Sequence, residues 1–117
     1  MIGRPEVPLQ RGELWSAAGG PPYANKPRPV LIVQDDIYGS TTCVTVCGLT
    51  SDATLTPFTR PLLQPDALNC LRDPSRVMVD KISSVPRSRL DRRMGRISND
   101  DMRFVERALM LFLGMAR

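Results

Sequence analysis

One arginine is held between two prolines at the head of an apolar run, Lys26-Pro27-Arg28-Pro29-Val30-Leu31-Ile32-Val33-Gln34. Pro29 disfavours helical backbone at Arg28, and Pro27 fixes its own φ one residue upstream. The guanidinium is thereby presented from a stiff strand end, as a permanently charged planar fork of five donors. Such a group suits a phosphate or a carboxylate, and Glu13 on an adjoining strand is the internal carboxylate that would occupy it instead. Arg87, Arg89, Arg92, Arg93 and Arg96 form a second basic run, fit either to hold phosphates or to make a solvated face. Tyr23 lies in a glycine–proline loop, where an exposed aromatic ring offers a base a stacking platform. Trp15, in an apolar stretch, suits a core or a subunit interface.

The composition narrows the chemistry further. A chain of 117 residues is expected to form one domain with a modest core, with residues 1–10 as a flexible N-terminal lead. Sixteen basic against twelve acidic residues leave a net charge of +4, and Lys26 and Lys81 are the only lysines. Arginine favours bidentate phosphate contacts, although a GC-rich genome produces the same bias. Histidine is absent, which removes imidazole acid–base chemistry and most catalytic zinc sites. Cys43 and Cys47 share a strand face about 13 Å apart, too far to bridge. With Cys70 they make a poor metal site and read as buried small hydrophobes in a reducing compartment. No metal and no cofactor is expected. Met1 to Leu9 lacks the apolar segment of a signal peptide, and no apolar run approaches the ~20 residues of a membrane helix. A soluble, cytoplasmic protein with no membrane contact is expected.

These residues must be positioned by short strands, since eleven prolines and eight glycines punctuate the chain. Glu13 to Ala17 reads as a first strand, Ala18 to Asn25 as a loop, and Arg28 to Gln34 as a strand buried on both faces. Asp35 to Ser40 turns the chain into a β-branched strand from Thr41 to Leu49. A polar loop, Thr50 to Pro57, precedes an edge strand over Phe58 to Leu63, and Pro65 to Pro74 reads as a turn-rich excursion. Arg76 to Val85 is the next strand, Ser88 to Leu90 a short helical turn or loop, and Arg93 to Ile97 a last strand. Ser98 then offers an N-cap with Asp101 three residues on. Met102, Val105, Leu109, Phe112 and Leu113 recur at helical spacing as a core stripe, and Gly114 is a plausible stop. Many short strands, with one C-terminal amphipathic helix laid on the sheet they form, are therefore expected.

In order along the chain, Arg11-Gly12-Glu13-Leu14-Trp15, Arg28-Pro29-Val30-Leu31-Ile32-Val33, Leu49-Thr50-Ser51, Asp80-Lys81-Ile82, Ser88-Arg89-Leu90 and Gly95-Arg96-Ile97 resemble the motifs of the MazF/PemK (Kid) toxins. The resemblance runs from Arg11 to about Leu113. It implies an α+β, mainly antiparallel β fold, a small SH3-like barrel of the CcdB/PemK type with a C-terminal amphipathic helix, assembled as a homodimer. It also implies metal-independent, sequence-selective cleavage of single-stranded RNA, messenger RNA above all, within a type II toxin–antitoxin system that supplies a cognate antitoxin. Products in many members carry a 2′,3′-cyclic phosphate and a 5′-hydroxyl.

By the same resemblance the catalytic arginine falls on Arg28 and the catalytic threonine on Thr50. Ser51, Asp80, Tyr23, Lys26 and Arg89 complete the candidate catalytic or RNA-contacting residues. Two departures stand out. The loop from Ser16 to Asn25 contains no Asp, Glu or His, and the position where Kid-type members carry an arginine is Met78. Asp80 is left as either a base or a structural acceptor. CcdB toxins, which poison gyrase, are similar in fold, but this chain ends Leu113-Gly114-Met115-Ala116-Arg117 without their terminal tryptophan. A non-catalytic RNA-binding module is the remaining alternative, allowed by the missing loop acid.

Overall fold

The computed structural model describes residues 8–18, 28–52 and 59–116. Among these residues seven strands and one α-helix succeed one another: β1 (Glu13–Ala17), β2 (Arg28–Ile32), β3 (Cys43–Thr50), β4 (Leu62–Leu63), β5 (Ser75–Val77), β6 (Ser83–Pro86), β7 (Leu90–Arg96) and α1 (Asn99–Phe112). The strands pair antiparallel in the order β4-β5-β3-β2-β1-β7, and β6 joins β3, so the sheet curls into a half-barrel. Period-two alternation gives the sheet two apolar faces. Leu14, Leu31, Val33, Cys47 and Leu49 meet Met102, Val105, Ala108 and Leu109 of α1. Trp15, Ala17, Val30, Ile32, Val44 and Val46 form a second cluster with Leu9 and Leu90 on the other face. Full burial of side chains such as Leu14 and Leu31 stabilises the fold by about 1.5–3 kcal/mol each. Leu9, expected within the flexible lead, is buried in that second cluster.

β1 keeps the expected bounds, whereas β2 stops at Ile32. There the Gln34 side chain replaces a ladder rung, its Oε1 accepting from the Thr45 amide at 2.9 Å. β3 begins at Cys43, because the Thr41 hydroxyl is committed to the turn through the carbonyls of Tyr38 and Cys43. The expected strand Arg76 to Val85 is interrupted. Paired residue numbers add to 126 between β3 and β5 (Leu49 with Val77) and to 129 between β3 and β6 (Val46 with Ser83). Three residues are therefore looped out of one edge, and they form the 3₁₀ turn Val79–Lys81, which buries Val79. Within the expected strand Phe58 to Leu63, only Leu62–Leu63 is β, and residues 53–58 lie outside the described ones.

α1 starts as the sequence indicates, with the Ser98 Oγ accepting from the Asp101 amide at 3.1 Å. Its stripe is shorter than expected. Met102, Val105 and Leu109 are buried, but Phe112 and Leu113 are about half exposed, since the core cluster takes α1 only as far as Leu109. The cysteines also divide. Cys47 is buried and its thiol is pushed up to about 12, by burial first and by the Asp80 charge second. Cys43 and Cys70 are exposed, against the expectation of burial. Cys43 sits at the strand end and Cys70 in a loop, where neither core cluster reaches. Among the described residues no helix is long and apolar enough to cross a membrane.

Candidate active site

Arg28 opens β2 opposite Ala17 of β1. On its other side β2 pairs with β3, Val30 facing Gly48. Continuing that register by two residues on each strand sets Arg28 opposite Thr50. Both then project on the face that carries Val30, Ile32, Val44 and Val46, since side chains alternate with period two. Two strands distant in sequence thus deliver a guanidinium and a hydroxyl to one place.

The place is a groove of about 560 Å³. Arg28, Pro29, Leu49, Thr50 and Ser51 line it from β2 and β3, Cys70, Leu71, Arg72, Asp73 and Ser75 from the approach to β5, and Arg92, Arg93 and Met94 from β7. Four guanidiniums against one carboxylate among these residues make it an anion site. Thr50 is oriented within it. Its Oγ1 accepts from the Asp52 amide at 3.1 Å, which leaves its O–H to donate.

The basic residues do different work. The Arg93 Nε donates to Glu13 Oε2 at 2.9 Å, and Glu13 Oε1 accepts from Trp15 Nε1 and the Gln10 amide, each at 3.0 Å. The buried Glu13 carboxylate, read from sequence as a possible mate for Arg28, is thus satisfied by these three donors. Arg87 is structural, its guanidinium donating to the carbonyls of Thr41 and Gly39. Arg89, in the 3₁₀ turn Arg87–Arg89, is exposed and lies outside the groove lining.

Asp80 also lies outside the groove lining. Its two oxygens accept from Arg60, from Nε at 2.9 Å and Nη2 at 3.0 Å. That bidentate contact holds the Asp80 carboxyl below the usual carboxylate range and raises the Arg60 guanidinium, itself 5 % exposed. With its acceptors committed, Asp80 has the geometry of a structural acceptor. Met78, where an arginine would stand, lies against Gly48 instead, its Cε 3.0 Å from where a Cβ would sit.

The structure therefore brings Arg28, Thr50 and Ser51 together and leaves Asp80 and Arg89 elsewhere. Tyr23 and Lys26 lie outside the described residues. Sequence reasoning missed Arg72 and Asp73, for which the run of turn residues from Pro65 to Pro74 gave no periodic signal. Among the described residues, no group of three or more Cys, Asp or Glu is placed to hold a metal ion.

Residues 10–113 match the profile of the PemK-like, MazF-like toxins of type II toxin–antitoxin systems. A Mycolicibacterium smegmatis protein named probable endoribonuclease MazF is 43 % identical over 108 residues, 92 % of this chain and 99 % of that protein. Endoribonuclease MazF6 of Mycobacterium tuberculosis is 30 % identical over 112 residues, 92 % of this chain and 98 % of that protein. The crystal structure of MazE–MazF from Deinococcus radiodurans superposes with a TM-score of 0.73 at 26 % identity, covering 94 % of this chain and 100 % of that one.

Proposed function

The chain belongs to the PemK-like, MazF-like toxin family, and from that premise we propose that it is an endoribonuclease toxin that cleaves single-stranded RNA at selected sequences. The observation that carries this reading is the convergence of Arg28 and the oriented Thr50 hydroxyl in a groove with three further arginines.

The reaction is an intramolecular transesterification. The 2′-oxygen attacks the adjacent phosphorus, its proton passing to an acceptor, and the P–O5′ bond breaks as the 5′-oxygen takes up a proton. The products are a 2′,3′-cyclic phosphate and a 5′-hydroxyl. Negative charge grows on the non-bridging oxygens in the transition state. Arg28 stabilises it, and preorganised donors of this kind commonly supply the largest share of catalysis. Thr50 adds a neutral donor to the same phosphate, and Ser51 lies beside it. Arginine is a poor proton shuttle at a pKa above 12, so Arg28 acts first as stabiliser. The protein works in the cytoplasm as a homodimer, and a cognate antitoxin occupies the same cationic groove.

The test is incubation of the purified protein with a long single-stranded RNA in EDTA, with product ends read by primer extension and mass spectrometry. Cleavage should persist in EDTA and yield cyclic phosphate ends. Arg28→Ala should lower the rate at least ~100-fold while the fold and assembly survive. Intact RNA across many sequences, or an active Arg28→Ala, would sink the assignment.

A further inference from the structure

The eleven residues between β4 and β5, Gln64 to Pro74, are a built wall of the groove. Asn69 is fully buried at their centre. Its Oδ1 accepts from the amides of Asp66 (3.0 Å) and Leu71 (2.9 Å), and its Nδ2 donates to the Gln64 carbonyl at 2.8 Å. Asp66 Oδ1 accepts in turn from the amides of Leu68 and Asn69. The loop is tied to β7 by the Arg96 amide, which donates to the Leu68 carbonyl at 3.0 Å. Leu71 then packs against the core below α1, and Ser75 is buried at the start of β5, its hydroxyl donating to the Asp73 carbonyl. Arg72 and Asp73 are exposed between these two anchors, and both line the groove.

Among the described residues, Asp73 is the one carboxylate that lines the groove, and its side chain has no hydrogen-bond or ion-pair partner. A groove that only gripped phosphate would bind more tightly without it, because a carboxylate repels the RNA backbone. An ionised carboxylate is an acceptor alone, with two oxygens that take a pair of donors side by side. On single-stranded RNA such donors lie on the base edges, which proteins read when bases are unstacked. Guanine offers N1–H and its N2 amino group together. Cytosine and adenine offer one amino group, and uracil flanks its single donor with carbonyl oxygens.

We propose that Asp73, fixed in the groove by the Asn69-centred loop, is a specificity-determining residue that accepts from the N1–H and N2 amino edge of a guanine near the cleaved bond. This rests on the endoribonuclease reading and adds the base that one subsite takes. Arg72 and Arg92 serve the flanking phosphates.

Binding tests it apart from cleavage. A random pool of 2′-O-methyl RNA heptamers, whose 2′-oxygens cannot attack, is offered to the full chain, to Asp73→Asn and to Asp73→Ala, and the bound fraction is sequenced. The unaltered chain should enrich guanine at one position by roughly tenfold or more, the discrimination a bidentate base contact gives. Both variants should lose that enrichment, keep preferences at other positions and melt at the parent temperature. Absence of guanine enrichment in the unaltered chain overturns the proposal. So does an enrichment that survives both substitutions, or a uniform loss of binding with the preference intact. A parallel cleavage assay on ordinary RNA reports on the enzyme reading alone, so failure of one does not pass for failure of the other.

Discussion

Among single residues, the pair formed by Arg60 and Asp80 separates support from chemistry. Arg60 is almost wholly buried, and both of its contacts to Asp80 are near-ideal hydrogen bonds. Removing one partner would strand a charge, so Asp80→Asn should destabilise the fold by roughly 2–4 kcal/mol in urea titrations at pH 7. The pH dependence follows from the depressed carboxyl. Asp80 binds its proton more weakly folded than unfolded. Its contribution is therefore fully present above about pH 4 and lost as pH falls through the lowered folded value. Asp80→Asn should flatten the acid limb of the stability profile, while cleavage per folded molecule stays near the parent rate. A loss of rate in fully folded Asp80→Asn would return Asp80 to the site. The extended backbone at Arg28 was legible in the sequence because two adjacent prolines set it. The engagement of Asp80 was not, because its partner lies twenty residues away and only the looped-out turn Val79–Lys81 brings the two together.

At the scale of elements, the groove depends on how closely the Gln64–Pro74 loop approaches β7. A Cβ at Gly95 would sit 2.5 Å from the Leu68 carbonyl oxygen and 2.9 Å from that of Asn69. Those are backbone atoms of a tightly hydrogen-bonded loop, so they cannot swing aside as a flexible side chain would. Gly95→Ala should cost about 1–3 kcal/mol in thermal or chemical unfolding. The displaced wall should also weaken RNA binding in fluorescence anisotropy. Unchanged stability and affinity would mean that the contact is easily relieved. The bulge between β5 and β6 marks the limit of pattern reading here. Arg76 to Val85 reads as continuous strand, yet its two halves pair with β3 three residues out of register. Nothing local signals that shift, which exists because Val79 finds the core and Asp80 finds Arg60.

On the scale of the whole molecule, the groove and the exposed apolar residues of α1 lie in separate places. The groove gathers Arg28, Arg72, Arg92 and Arg93, whereas Phe104, Met110, Leu111, Phe112 and Leu113 are exposed on α1 and its end. Apolar exposure of that kind is what subunit association covers, in keeping with the proposed homodimer. The cationic groove makes a quantitative prediction. Binding of single-stranded RNA should weaken with salt, with a log–log slope near −0.7 for each phosphate neutralised. Arg92→Ala should make the slope shallower by about 0.7. A slope unchanged by that substitution would remove Arg92 from the RNA path.

The sequence by itself determined the succession of short strands, the bounds of β1 and the cap of α1, and it singled out Arg28 as a candidate. Each of these rests on information carried within a few residues: alternation, a hydroxyl three residues before an amide, and prolines flanking a charge. Tertiary structure alone decided that Thr50 and Arg28 line one groove, that Glu13 goes to Arg93, that Asp80 is engaged by Arg60, and that Asp73 enters the groove. Those outcomes depend on strand register, on a three-residue bulge and on a carbonyl of one loop meeting an amide of β7. Such contacts join segments far apart in the chain, and the free energy that selects them appears only once the sheet has closed around its two cores.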